Sequence, residues 1–226
     1  MNIKFINVDR KDAYQAYELI KKSLYSCKET STPIVDAEFY HQIKMQRVPQ
    51  VLKNGLFSKR KIAELEGREL TPHERSLYSD DGRVNGLDYI SLSNMNLDFS
   101  KMGEKELYFD PFNTIEANII VSKDINISRS THNYFNEYLV KDRISPKQFN
   151  AIDTRILKIL DFDFHDTEKN KLENRIQLML EYYNYLRNIA ITLKENKLDI
   201  PLREVSDEVI TLNPKKVIRM PHFQLK

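Results

Sequence analysis

Between residues 166 and 195 the sequence carries one apolar stripe. Leu172, Ile176, Met179, Tyr183, Leu186, Ala190 and Leu193 follow one another in alternating steps of four and three. At 3.6 residues per turn this places all seven on one face of a helix of about six turns. A helix of that length cannot leave such a face in water. The spacing favours packing on the helix's own domain over pairing with a second helix as a coiled coil.

The remaining segments supply shorter elements. Residues 10–25 repeat Ala13, Ala16, Tyr17, Ile20 and Leu24 at helical spacing, with Asp9 as N-cap. Residues 26–37 read as a loop. Phe39, His41 and Ile43 then share one face of a short strand, with Tyr40 and Gln42 on the other. Val48, Val51 and Leu52 form the inner side of a short helix, and Gly55 suits its C′ position, where a positive φ is needed. Residues 59–86 are polar and charged, a long excursion with helical character around 71–78. Leu87–Asn94 and Ile115–Ser122 are rich in β-branched and aromatic residues and read as strands. Tyr138–Val140 continues a third. Ser145-Pro146 opens a short helix through Phe149 and Ile152, Pro201 closes the long helical region, and 213–226 reads as a mildly basic tail. Helix, strand, helix, strands and long helix, in that order, indicate α+β architecture rather than a doubly wound parallel sheet.

Composition narrows the function classes. At 226 residues, 41% hydrophobic and 30% charged, the chain is sized for one generous domain or one domain with an appendage and is composed as a soluble globular protein. A net charge of +2 gives the whole molecule no polyanion-seeking character. The lone cysteine, Cys27, forms no internal disulfide and fits a reducing compartment. No apolar run approaches the roughly 20 residues of a membrane span, and Met1-Asn2-Ile3-Lys4 opens no signal peptide. The expected location is the cytoplasm, or the cytosol of a target cell reached without a signal peptide, with no membrane partner.

The common nucleotide, zincin and hydrolase signatures (GxGxxG, the P-loop, HExxH, GxSxG) are absent. The histidines, at 41, 73, 132, 165 and 222, have no metal-ligand spacing, and no metal is expected. His165, inside Asp161-Phe-Asp163-Phe-His165-Asp166, reads as part of an exposed loop or strand end rather than a metal cluster.

Three separated pieces carry a resemblance. The first is Phe39-Tyr40-His41-Gln42-Ile43 followed by Val51-Leu52-Lys53-Asn54-Gly55-Leu56-Phe57-Ser58. The second is Asp88-Tyr89-Ile90-Ser91-Leu92-Ser93. The third is Asn136-Glu137-Tyr138-Leu139-Val140 followed by Arg143-Ile144-Ser145-Pro146. In this order they resemble ADP-ribosyltransferase-fold proteins, the DarT-like DNA ADP-ribosyltransferases and the RNA 2′-phosphotransferases in particular. The resemblance covers roughly 38–152. It implies a split mixed β-sheet core with flanking helices and a catalytic core over 37–160; residues 1–36 and 161–226 lie outside the resemblance and read from their own patterns as an N-terminal helical extension and a C-terminal helix and tail packed on the same domain.

It also implies NAD⁺ as co-substrate. Breaking the nicotinamide–ribose bond passes through a sugar cation like that of glycoside cleavage, and a carboxylate beside that sugar stabilises the developing charge. Glu137 takes that role, with Glu116 on a neighbouring strand as the rival carboxylate. The resemblance assigns His41 to the adenosine ribose, Gly55 and Leu56 to the turn beside the cofactor, Ser91 and Ser93 to the nicotinamide pocket, and Tyr89 to stacking on the nicotinamide ring. Arg60 belongs to a run in which Lys44, Arg47, Lys53, Lys59, Arg60 and Lys61 occur without an acidic residue, a charge that suits a pyrophosphate or a nucleic-acid acceptor.

Two positions depart from the pattern. Phe135 stands two residues before Glu137, which argues against an arginine-directed enzyme. The central strand carries Ser-Leu-Ser where DarT-like chains carry an aromatic run. The implied activity is mono-ADP-ribosyl transfer to DNA, RNA or protein by a toxin or effector, with an antitoxin or inhibitor protein as a further partner. A non-catalytic binding domain using the long helix as its docking surface, NAD⁺ glycohydrolysis and RNA 2′-phosphate transfer are the competing readings on the same scaffold.

Overall fold

The computed structural model describes residues 3–5, 10–32, 39–72, 86–94, 115–131, 137–154, 169–205, 208–220 and 223–225. In chain order these give β1 (Ile3–Phe5), α1 (Arg10–Ser26), β2 (Lys28–Thr32), β3 (Phe39–Lys44), α2 (Val48–Asn54), β4 (Leu56–Phe57) and α3 (Lys59–Leu65). Next come β5 (Tyr89–Asn94), β6 (Glu116–Val121), β7 (Arg129–Thr131), β8 (Glu137–Lys141), β9 (Arg143–Ile144) and β10 (Phe149–Thr154). The chain continues through α4 (Lys169–Glu195), β11 (Leu202–Val205), β12 (Val209–Leu212), α5 (Pro214–Arg219) and β13 (Phe223–Leu225).

Nine strands form one mixed sheet in the order β2-β12-β11-β10-β6-β3-β5-β8-β7. β10 and β11 run parallel and the other neighbours antiparallel. β1 pairs with β13, and β4 with β9, as separate two-stranded ladders. The α+β expectation holds in this coarse form.

Burial follows the period-2 rule. Ile119 and Val121 of β6, Ile152 of β10, Leu202 of β11 and Ile210 and Leu212 of β12 all face one core. α4 covers that core and packs on α1, α2 and α5. Tyr183, Leu186, Ala190 and Leu193 of the stripe are buried as expected, joined by Leu180, Tyr182 and Ile189. Fully burying one such side chain contributes roughly 1.5–3 kcal/mol. Leu172, Ile176 and Met179 lie outside the described side chains.

Several expectations need correcting. Residues 28–32, read as loop, are an edge strand on β12. Its sequence, Lys-Glu-Thr-Ser-Thr, has no apolar alternation, and backbone pairing together with the polar contacts Lys28–Glu208 at 3.2 Å and Asn213–Glu29 at 2.5 Å gives it its place. Residues 149–154, read as helix, are a central strand. Phe149 and Ile152 both reach the core because the register shifts between Phe149 and Ala151, and this irregularity imitates the three-residue step of a helix. Only Pro146–Gln148 forms a helical turn there, closed by a capping box between Ser145 and Gln148. The polar excursion begins with the helix α3. The region expected to be helical around 71–78 falls largely outside the described residues, as do Asp9 and His165.

Residues 213–226, expected as a tail, form α5 and the strand β13, which pairs with β1. β11 and β12 extend the main sheet, and Asn213 caps α5 by accepting from the Lys215 and Lys216 amides at 2.9 and 3.3 Å. Strands from 1–36, 37–160 and 161–226 therefore all enter one sheet, and the boundaries at 36 and 160 do not divide it.

Candidate functional site

Among the described residues β3 and β5 are hydrogen-bonded neighbours over two residue pairs, Phe39↔Asn94 and Tyr40↔Ser93. Beyond them β3 continues along β6 as far as Lys44↔Glu116, while β5 follows β8 down to Tyr89↔Lys141. The sheet thus parts after Tyr40, and His41 is the first residue past the parting. On the core side the Phe39 ring of β3 meets the Tyr138 ring of β8 across β5, with centroids 4.6 Å apart and planes tilted by 56°.

The His41 ring spans the gap. Its Nδ1 lies 2.9 Å from the Ser91 carbonyl oxygen. A carbonyl only accepts, so Nδ1 carries the proton and donates. Burial is the main cause that holds His41 below its ordinary value. The bond to Ser91 opposes the shift, and the nearby Lys59 ammonium adds to it. At neutral pH the ring is therefore uncharged, and its Nε2 presents a lone pair to any ligand hydroxyl or N–H that reaches it.

The other sequence-derived residues lie along the β5–β8 ladder. Ser93 stands opposite Glu137, Ser91 opposite Leu139 and Tyr89 opposite Lys141. Ile90 and Leu92, between them, are buried in the core, so Tyr89, Ser91 and Ser93 occupy the opposite face; Ser91 is exposed, and Tyr89 and Ser93 are half-buried. By alternation His41 belongs to the core face with Phe39 and Ile43. It meets Ser91 through the backbone carbonyl, not through the hydroxyl. The rival carboxylate Glu116 is engaged elsewhere, accepting from Gln42 Nε2 at 2.5 Å.

Gly55 and Leu56 serve the frame. Gly55 adopts φ 92°, its amide donates to the Val51 carbonyl at 2.7 Å, and a Cβ there would collide with the Ile144 carbonyl oxygen. The glycine lets β4 close on β9. Leu56 is buried in the core, which leaves its backbone alone for any ligand contact. Arg143 reinforces this corner, donating to the Asn54 carbonyl at 3.0 Å with its guanidinium 5.2 Å from the centre of the Phe57 ring.

Comparison with protein-family models, curated proteins and solved structures gives no match. Among the described residues no group of three or more His, Cys, Asp or Glu side chains could hold a metal, and no helix is long and apolar enough to cross a membrane.

Arg60, expected at the cofactor, is ion-paired with Asp88. Lys61, next to it, pairs with Glu64 at 2.9 Å. The cation that acts on His41 is Lys59, which the basic run contained but did not distinguish. Sequence could not separate three consecutive cations, because their directions depend on where Ser58 starts α3. Ser58 is buried, its amide donates to the Asp142 carbonyl at 2.9 Å, and its hydroxyl accepts from the Lys61 amide at 3.2 Å. Asp142, at φ 59°, also donates its own amide to the Asp88 carbonyl at 3.0 Å. Its backbone therefore ties the end of β8 to the start of α3 and to the turn before β5.

Proposed function

We propose that this chain is a mono-ADP-ribosyltransferase that cleaves NAD⁺ at the nicotinamide–ribose bond and passes ADP-ribose to a macromolecular acceptor. The acceptor is a nucleic-acid base or a protein side chain, and the biological role is that of a toxin or effector. The observation that carries the reading is the meeting of three strands at the parting of the sheet. His41, on the core face, is anchored to Ser91 there with Nε2 free of a proton, and Glu137 stands in register with Ser93 one strand further on, at a position of the opposite face.

In this reading Nε2 of His41 accepts a hydroxyl of the adenosine ribose. The C–N bond at the nicotinamide ribose breaks with its electron pair leaving on nicotinamide, and the sugar carbon becomes cationic. The Glu137 carboxylate hydrogen-bonds a ribose hydroxyl and stabilises that cation. A nucleophilic nitrogen or oxygen of the acceptor then bonds to the sugar carbon and gives up its proton. The parted sheet supports this because strands that stay paired fill their backbone groups with one another, whereas past Tyr40 the Ser91 carbonyl of β5 is met by the His41 imidazole.

The test is incubation with NAD⁺ labelled in the adenosine half, reading nicotinamide release and mass-tagged DNA, RNA and protein fractions. Nicotinamide release with label on one acceptor fraction is the expected result. Release without label in any fraction would make the protein a glycohydrolase, and no release at all would remove the enzymatic reading.

A further inference from the structure

We infer that Lys59, and not Arg60, is the cation that binds the diphosphate of a dinucleotide at the parting of β3 and β5. The inference rests on the NAD⁺ reading and names the residue that holds the cofactor's negative charge.

Three consecutive cations open α3, and the structure gives each a different environment. Arg60 is committed to Asp88 and Lys61 to Glu64. Lys59 has no carboxylate partner among the described residues, although it is half-buried. An ammonium with no carboxylate partner keeps its charge available to an incoming anion. Its direction is set by the frame: Ser58 is held to Asp142 from one side and caps α3 from the other, so the side chain after it projects from a fixed point.

That point is close to the opening. β4, directly before Ser58, packs beside β5, the strand whose Ser91 carbonyl holds His41, and Lys59 acts electrostatically on the His41 ring. A neutral acceptor nitrogen next to an unneutralised ammonium suits a ligand that presents a hydroxyl and a phosphate close together, as the adenosine half of a dinucleotide does. The surrounding surface carries further cations beside the Asp88, Glu64 and Asp142 carboxylates. Arg47 in the turn before α2, Lys53 on α2, Arg143 on β9 and Lys147 in the following turn are exposed, and none pairs with a carboxylate among the described residues. These outer cations raise the local concentration of anions, while Lys59 is the one placed at the histidine.

The experiment combines calorimetry with ADP-ribose and ADP and an NMR titration of the His41 ring, in the full chain and in Lys59→Met, Lys59→Arg and Arg60→Met. Loss of one charge-assisted contact weakens binding about tenfold to hundredfold. Lys59→Met should show that loss, while Lys59→Arg and Arg60→Met stay close to the parent. The His41 pKa should rise in Lys59→Met. Added ADP should raise it in the parent but not in Lys59→Met. Equal ADP-ribose affinity in Lys59→Met, or a loss confined to Arg60→Met, would overturn the assignment while leaving the NAD⁺ reading standing. A parent protein that binds neither ADP-ribose nor ADP would overturn both. The NMR titration reads the Lys59–His41 proximity whether or not the protein turns over.

Discussion

The two flanks of the sheet treat their polar groups in opposite ways. Under α4, on β10 and β11, buried polar side chains are spent on one another. Tyr182 donates its hydroxyl to Glu204 Oε2 at 2.5 Å, and Thr154 lies 2.8 Å from both that oxygen and the Tyr182 hydroxyl. On the reverse face Arg203 holds Asp153 through two contacts of 2.5 and 3.0 Å. At the β3–β5 parting the balance is different: Nε2 of His41 keeps a lone pair, and Lys59 has no carboxylate partner among the described residues. Polar groups that satisfy each other fix a fold, whereas polar groups held in place but left with spare capacity are available to a ligand.

That contrast can be broken from either side. The largest expected effect is at the parting. Glu137→Gln keeps the side-chain volume and removes the charge, so transfer should fall about 10²–10³-fold. NAD⁺ affinity and melting temperature should stay near the parent values. A variant that transfers at the parent rate, or a Glu116→Gln variant that proves to be the inactive one, would remove Glu137 from the reaction.

On the α4 flank the effect is one of stability. Tyr182→Phe deletes the hydroxyl that serves Glu204 and Thr154 and should cost about 1–3 kcal/mol in chemical denaturation. ADP-ribose binding per folded molecule should not change. A Tyr182→Phe protein of full stability but weakened binding would place the site under α4 and reverse the comparison.

The smallest effect sharpens the contrast through pH. His41 is held below its ordinary value of 6.5, so the fold favours the neutral ring. Its contribution is complete above 6.5 and drains away as pH falls from there through the folded value. Denaturation midpoints between pH 5 and 8 should therefore decline on the acid side more steeply in the parent than in His41→Gln. Parallel curves would mean that the ring is not held neutral by its surroundings.

Much of this was legible along the chain because it depends on local period and local chemistry. The α4 stripe, the alternation in β5 and β6, and Gly55 at the end of α2 each follow from residues a few positions apart. The strand positions of His41, Ser91, Ser93 and Glu137 could likewise be assigned from the flanking pattern. The polar strand β2 and the irregular β10 could not. One owes its place to a partner nearly 180 residues away, and the other hides its period behind a shifted register.

Three things were decided only by the tertiary structure: where β3 leaves β5, which nitrogen of His41 is free, and which of Lys59, Arg60 and Lys61 lies at the opening. The sequence lists donors, acceptors and charges but not their partners. Asp88, Glu64 and the Ser91 carbonyl come from other elements or other turns, and each claims one group and thereby determines what is left over. Spare hydrogen-bonding and charge capacity is a remainder, and it becomes defined only after every other contact in the fold has formed.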